Sequence, residues 1–223
     1  MRQLFKSKKF RFSQRDSAGK IVKQWSMPGI DLKAKVVCKL CNEGWMSSLE
    51  DQHAKPAMSD LIVGKNVAIS ESQAKSVALF AFKTAVVIDH MGRDGPFYST
   101  AARREFAKSL TIPHNVHIWL AGLFPGSSGR FNTFYSEIPF EPPRHLELYI
   151  CTFAAGHLVF QVVGAQYIEI PPFGPVLGFE HLAVPIWPPP LQQGISWPLS
   201  HVLSFRSDFD RFAERWKAIR LVG

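Results

Sequence analysis

Long apolar runs are missing from this sequence. The longest, Val77 to Ile88, is interrupted by Lys83 and Thr84. It falls short of the roughly 18–20 apolar residues that a helix needs to cross a bilayer, so no membrane span is expected. The basic start of the chain is not followed by an apolar stretch of about 7–15 residues, which argues against a secretory signal. Cysteine is scarce too: Cys38, Cys41 and Cys151 are the three in the chain. Three thiols are too few for a disulfide framework, and a reducing, cytoplasmic setting is the expectation. With 46% hydrophobic and 20% charged residues over 223 positions, the chain can bury a core and does not read as a disordered tail.

Carboxylates are nearly absent from the N-terminal end. Through residue 35 ten cations (Arg2, Lys6, Lys8, Lys9, Arg11, Arg15, Lys20, Lys23, Lys33 and Lys35) face only Asp16 and Asp31, while the whole chain carries a formal net charge of +8. The rest of the chain is therefore neutral. Such an excess concentrates polyanions around the segment, and each cation that meets a phosphate releases condensed counterions. Nucleic acid, DNA or RNA, is the expected partner, with Lys6, Lys8, Lys9, Arg11, Arg15, Lys33 and Lys35 as the candidate contacts. Phe5, Phe10 and Phe12, interleaved with these cations, can stack on bases or face a core. The competing reading is a solvated hairpin whose lysines discourage edge-to-edge pairing.

The pattern along the chain predicts an α+β fold. Residues 3–13 and 20–27 have strand composition around the turn residues Asp16-Ser17-Ala18-Gly19, hence a β-hairpin. Leu32 to Val37 alternates apolar with basic residues and predicts a strand leading into Cys38. From Asn42 to Leu61 apolar residues recur at threes and fours, predicting a helix that Pro56 kinks or splits and Gly64 ends. Asn66 to Ser70 reads as an extended link, and Ser70 with Gln73 as the cap of a helix over Glu71 to Met91. That helix is apolar almost all round and is the expected buried centre. A shorter helix follows over Ser99 to Leu110. Strands are expected at Val116–Leu120, Phe131–Ile138, Leu146–Phe153 and Leu158–Val163, the last two joined in a hairpin by Ala154-Ala155-Gly156-His157. A final helix runs from about Ser207 to Ile219. Two parts are expected: residues 1–64, a basic hairpin with a degenerate ββα, zinc-knuckle-like region, and residues 65–223, an α+β unit with a mainly antiparallel sheet packed on it.

The string Val37-Cys38-Lys39-Leu40-Cys41-Asn42-Glu43-Gly44-Trp45-Met46 carries the most chemistry. Two cysteines two residues apart, between a strand and a helix, put both sulfurs on one side of a tight turn, which is half of a tetrahedral zinc site. No second Cys-x-x-Cys exists to complete it. His53 has no partner histidine three to five residues on, and His114, His117 and Cys151 lie far off in sequence. A redox role for Cys38 and Cys41 calls for a thioredoxin-like βαβ setting, which the pattern does not supply. An incomplete zinc knuckle, an occupied metal site and packed thiols all stay open.

Cys38-Lys-Leu-Cys41-Asn42-Glu-Gly44-Trp45-Met46-Ser47-Ser-Leu49-Glu50, then Lys55-Pro56, Leu61-Ile62-Val-Gly64 and Phe82-Lys83-Thr84-Ala85, resemble the bacterial HNH-endonuclease-like proteins. Ile186-Trp187-Pro188-Pro189 and Trp197-Pro198 look like the C-terminal part of the same family, so the resemblance runs over most of the chain from residue 36. It implies a ββα-metal nuclease: a structural Zn²⁺ held by Cys38 and Cys41 together with a first Cys-x-x-Cys, and a histidine base beside a divalent Mg²⁺ or Mn²⁺. The sequence departs from this pattern, because the first Cys-x-x-Cys is absent and all eight histidines lie at His53 or beyond. Asn42 is the one catalytic position the resemblance carries over, and a single amide oxygen is a poor Mg²⁺ site, which favours octahedral oxygen coordination with carboxylates. The expectation is an HNH-endonuclease-like protein with an incomplete centre that binds nucleic acid. A shortened gene model or a decayed copy would give the same picture. The alternative is a non-enzymatic protein-interaction scaffold using the Trp/Pro-rich C-terminal surface.

Other features have structural readings. Trp187 and Trp197 beside prolines are expected to pack, Lys83 to reach solvent or an acid, and the Asp89-His90 pair to end a helix rather than act as a dyad. Glu50 reads as solvent-facing or as a cap partner.

Overall fold

The computed structural model describes residues 9–15, 21–28, 37–90, 95–139, 145–166, 181–189, 194–204 and 206–214. Strand β1 (Lys9–Arg15) pairs antiparallel with β2 (Ile21–Pro28), from Lys9 opposite Pro28 to Arg15 opposite Ile21. The expected hairpin is there. Its turn residues Asp16–Gly19, and all of the expected Leu32–Val37 strand but its last residue, lie outside the described residues; Val37 itself sits in a bend.

A helical run then extends from Lys39 to Ile62. Its α-helical turns are α1 (Lys39–Cys41), α2 (Ser47–Leu49) and α3 (Lys55–Ile62), separated by π-helical stretches at Asn42–Met46 and Glu50–Ala54. Gly44, with ψ of −114°, breaks the helical path in the first of these. Pro56 was expected to kink or split the helix, yet the run continues through it. It lies in the first turn of α3, directly after a wide π-helical stretch, where its missing N–H and its ring are accommodated. Gly64, at φ 75°, follows the end of the run.

The expected extended link is in fact a short strand, β3 (Val67–Ile69), paired with β7 (Ile195–Trp197). Helix α4 (Glu71–Asp89) follows, and its Ser70 cap forms the reciprocal pair the sequence predicts: Ser70 Oγ accepts the Gln73 N–H at 3.3 Å, and Gln73 Oε1 accepts the Ser70 N–H at 2.9 Å. Ala78, Ala81 and Ala85 are fully buried, so α4 is the centre of the fold as expected. Helix α5 (Thr100–Ser109) is capped by Ser99, whose Oγ accepts the Ala102 N–H.

Two long antiparallel strands, β4 (Val116–Pro139) and β5 (His145–Ala165), form the main sheet, with β6 (Ala183–Trp187) on the other side of β4. The four separate strands expected over this region are two. Residues 154–157 do not turn the chain back; β5 runs straight through them. The reason lies in the side-chain phase. Tyr149, Cys151 and Phe153 face the core shared with α3 and α4, and so do Leu158, Phe160 and Val162. Odd positions point that way before residue 156 and even positions after it. An extra residue has been inserted, which is a bulge. Gly156 occupies it at φ 62°, and a Cβ there would stand 2.3 Å from the Ile62 carbonyl oxygen. Strand β4 changes phase at the same level, between Leu120 and Phe131, through register shifts at Gly122/Ser127 and Ser127/Arg130.

The opposite sheet face is also covered. Trp119, Leu148, Ile150, Val159 and Val163 pack with Phe209 and Phe212 of α6 (Arg206–Glu214). The sheet thus lies between α3/α4 on one face and α6 on the other, an α+β architecture with antiparallel pairing throughout its named strands. Leu49, Ala57, Met58 and Leu61 of the helical run share one core with α4 and β5.

Candidate functional site

The thiol pair stands at the start of the helical run. Cys38 is its N-cap, with an extended backbone, and Cys38 Sγ accepts the Cys41 N–H at 3.2 Å. The Asn42 N–H donates to the Cys38 carbonyl at 3.0 Å, closing the first turn. Cys38 is exposed and Cys41 half-buried. Hydrogen bonds from the Cys41 thiol and amide hold the Cys38 thiol below its ordinary pKa. Cys41 is pushed the other way by the hydrogen bond it gives to Cys38, by burial and by the neighbouring negative charge. Cys38 thus caps the helical run, which begins at Lys39 rather than at Asn42, and the strand expected to lead into it lies, apart from Val37, outside the described residues.

Asn42 and Glu43 are exposed, and Glu43 lies 3.9 Å from Lys39 in an exposed i,i+4 pair. Trp45 anchors this end against Phe106 of α5, edge-on at 5.6 Å. One turn further on, Glu50, read as solvent-facing or as a cap partner, is half-buried and has a tertiary partner instead. It accepts a hydrogen bond from Lys83, which is 7% exposed on α4 and sits 4.8 Å over the Phe80 ring. This ion pair clamps the helical run to the central helix, and Lys83 behaves as its acid-pairing reading predicts.

The basic candidates divide. Lys9, Arg11 and Arg15 stand on β1, which with β2 carries Lys23 and no carboxylate. Lys6, Lys8, Lys33 and Lys35 lie outside the described residues. Among the histidines, His53 and His114 are exposed, and His157 Nδ1 lies 2.9 Å from the Leu123 carbonyl. His117, beside Trp119, has its pKa lowered by burial. Asp89 makes no dyad with His90; it is buried and accepts the N–H groups of Phe97 and Tyr98 and the Tyr135 hydroxyl at 2.7 Å. No local pattern signals this clamp, because its donors lie 8 to 46 positions away. Trp197, expected to pack, is buried and donates its indole N–H to the Leu61 carbonyl.

A tetrahedral zinc site needs four ligands. Among the described residues no group of three or more His, Cys, Asp or Glu is placed to hold a metal ion, so Cys38 and Cys41 do not make a closed zinc set there. Among the described residues Asn42 likewise has no carboxylate cluster around it of the kind Mg²⁺ or Mn²⁺ chemistry uses. No helix among the described residues is long and apolar enough to cross a membrane. In comparisons with known proteins, no family model, no curated protein and no solved structure matches the chain.

Proposed function

We propose that the chain is a cytoplasmic nucleic-acid-binding protein related to the HNH-endonuclease-like proteins, with Asn42 and the thiol pair as the remainder of an incomplete cleavage centre. The observation that carries this reading is the β1–β2 ribbon. Its described residues hold four cations, Lys9, Arg11, Arg15 and Lys23, and no carboxylate, in a chain whose residues beyond 35 balance in charge. The ribbon lies against β4 through β1, and phosphate contacts by its cations would supply sequence-independent affinity. The order of ribbon, thiol pair and helix is also the order that the family resemblance implies.

Fluorescence anisotropy with a labelled duplex, read across a salt series, tests the proposal. Four phosphate contacts give a slope of log K against log salt of about −3 to −4. Replacing Lys9, Arg11 and Arg15 together by Gln reduces the steepness by about 3 and weakens binding to all sequences alike. No binding at low salt overturns the proposal, and a stable complex with another protein under the same conditions favours the scaffold alternative. Incubation of the duplex with the chain and Mg²⁺ or Mn²⁺ leaves it intact if the centre is incomplete. Cleavage that disappears in Asn42→Ala overturns that part and marks a working nuclease.

A further inference from the structure

The first turn of the helical run brings two nucleophilic side chains together and leaves one of them open to solvent. Cys38 Sγ accepts the Cys41 N–H at 3.2 Å, which holds the first sulfur over the turn that carries the second cysteine. Cα atoms three residues apart in a helical turn are about 5–5.5 Å apart, inside the range that a disulfide spans. Exposure differs between the two: Cys38 is open, Cys41 half-covered. The third cysteine, Cys151, is fully buried in the core and takes no part. The βαβ setting belongs to thioredoxin-type enzymes; exchange with a small disulfide requires only two thiols one turn apart with unequal access.

We propose that Cys38 and Cys41 are a reversible dithiol that exchanges with low-molecular-weight disulfides, Cys38 attacking and Cys41 resolving. The Cys38 thiolate attacks one sulfur of a disulfide RSSR, forming a Cys38–S–SR bond and expelling RS⁻. Cys41 then loses its proton to solvent and its sulfur attacks Cys38 Sγ, forming the Cys38–Cys41 disulfide and expelling the second RS⁻. The protein dithiol is oxidised by two electrons and RSSR is reduced to two RSH. This inference is independent of nucleic-acid binding, and its failure leaves that reading untouched.

The test uses the full chain, reduced, freed of metal by chelation and incubated with oxidised glutathione, with intact mass and thiol alkylation as readouts. The oxidised protein loses the mass of two hydrogen atoms, and peptide mapping places the bond between Cys38 and Cys41. Mixtures of oxidised and reduced glutathione titrate the pair reversibly. Cys41→Ser accumulates a glutathione adduct on Cys38, because nothing resolves it, whereas Cys38→Ser takes up glutathione on Cys41 at least tenfold more slowly. Neither position is in the core, and circular dichroism confirms that the variants are folded. Two free thiols at Cys38 and Cys41 after excess oxidised glutathione overturn the proposal, as does equal adduct formation in the two variants. A chain that as purified carries stoichiometric zinc, with both thiols protected until chelation, also overturns it in favour of a metal role.

Discussion

At the scale of single residues, burial governs what the third thiol does. Cys151, within the strand predicted over Leu146–Phe153, is fully buried opposite Thr133 on β4. Burial pushes its pKa up to about 12 from an ordinary 9.0. The unfolded thiol therefore gives up its proton first. The stabilisation is complete below about pH 9 and is lost as pH rises toward 12. Denaturant unfolding between pH 8 and 10 is expected to show stability falling by up to about 1 kcal/mol per pH unit at the upper end. Cys151→Ala flattens that fall, and an unchanged pH profile in the variant would refute the assignment. Asp89 shows the opposite kind of legibility. Its place near a helix end was readable, but the Phe97, Tyr98 and Tyr135 donors that satisfy it come from later segments. Local sequence cannot report a tertiary partner. For the same reason Lys83 was readable as acid-seeking while its acid, Glu50, was not.

Elements whose signals are local were readable, namely α4 from its continuous apolar composition and its start from the Ser70/Gln73 box. The ribbon too followed from strand composition on either side of a turn. The long β5 strand was misread because Ala154-Ala155-Gly156-His157 has the small residues and the glycine of a hairpin turn. The same glycine is what a bulge needs when another backbone approaches closely. At Gly156 the positive φ and the Ile62 carbonyl act together, so Gly156→Ala meets both a left-handed penalty and a steric overlap. A loss of about 3 kcal/mol is expected, read as a lowered denaturation midpoint with an unchanged slope. A substitution that is neutral within about 0.5 kcal/mol would mean that β5 and α3 are not in contact there.

Over the whole molecule, the three layers depend on two apolar faces of one sheet. Fold class was legible because helical and strand-like periodicities fall in separate stretches of the chain. The second face was less so: strands buried on both sides read as near-continuous apolar runs, which do not say what covers each side. Helix α6 is the answer, with Phe209 and Phe212 fully buried against β4 and β5 and the Phe212 carbonyl accepting a hydrogen bond from Gln161. Phe212→Ala is expected to cost about 3–5 kcal/mol, lowering the unfolding midpoint by roughly 10 °C. Hydrogen exchange of the α6 amides would accelerate first, and protection equal to that of the parent chain would show that α6 does not depend on this contact. The candidate site was only partly legible at this scale. Charge asymmetry and thiol spacing are visible in sequence, whereas the capping of a helix by Cys38 depends on where that helix begins.

The paired phase changes in β4 and β5 also constrain how such a chain can vary in length. Removing one residue from either strand on its own exchanges, along half of its length, the side chains that pack on α3 and α4 with those that pack on α6, so that neither core fits. Insertions and deletions near this level of the sheet are therefore tolerated only as compensating pairs, one in each strand, and descendants of this chain should carry them together or not at all.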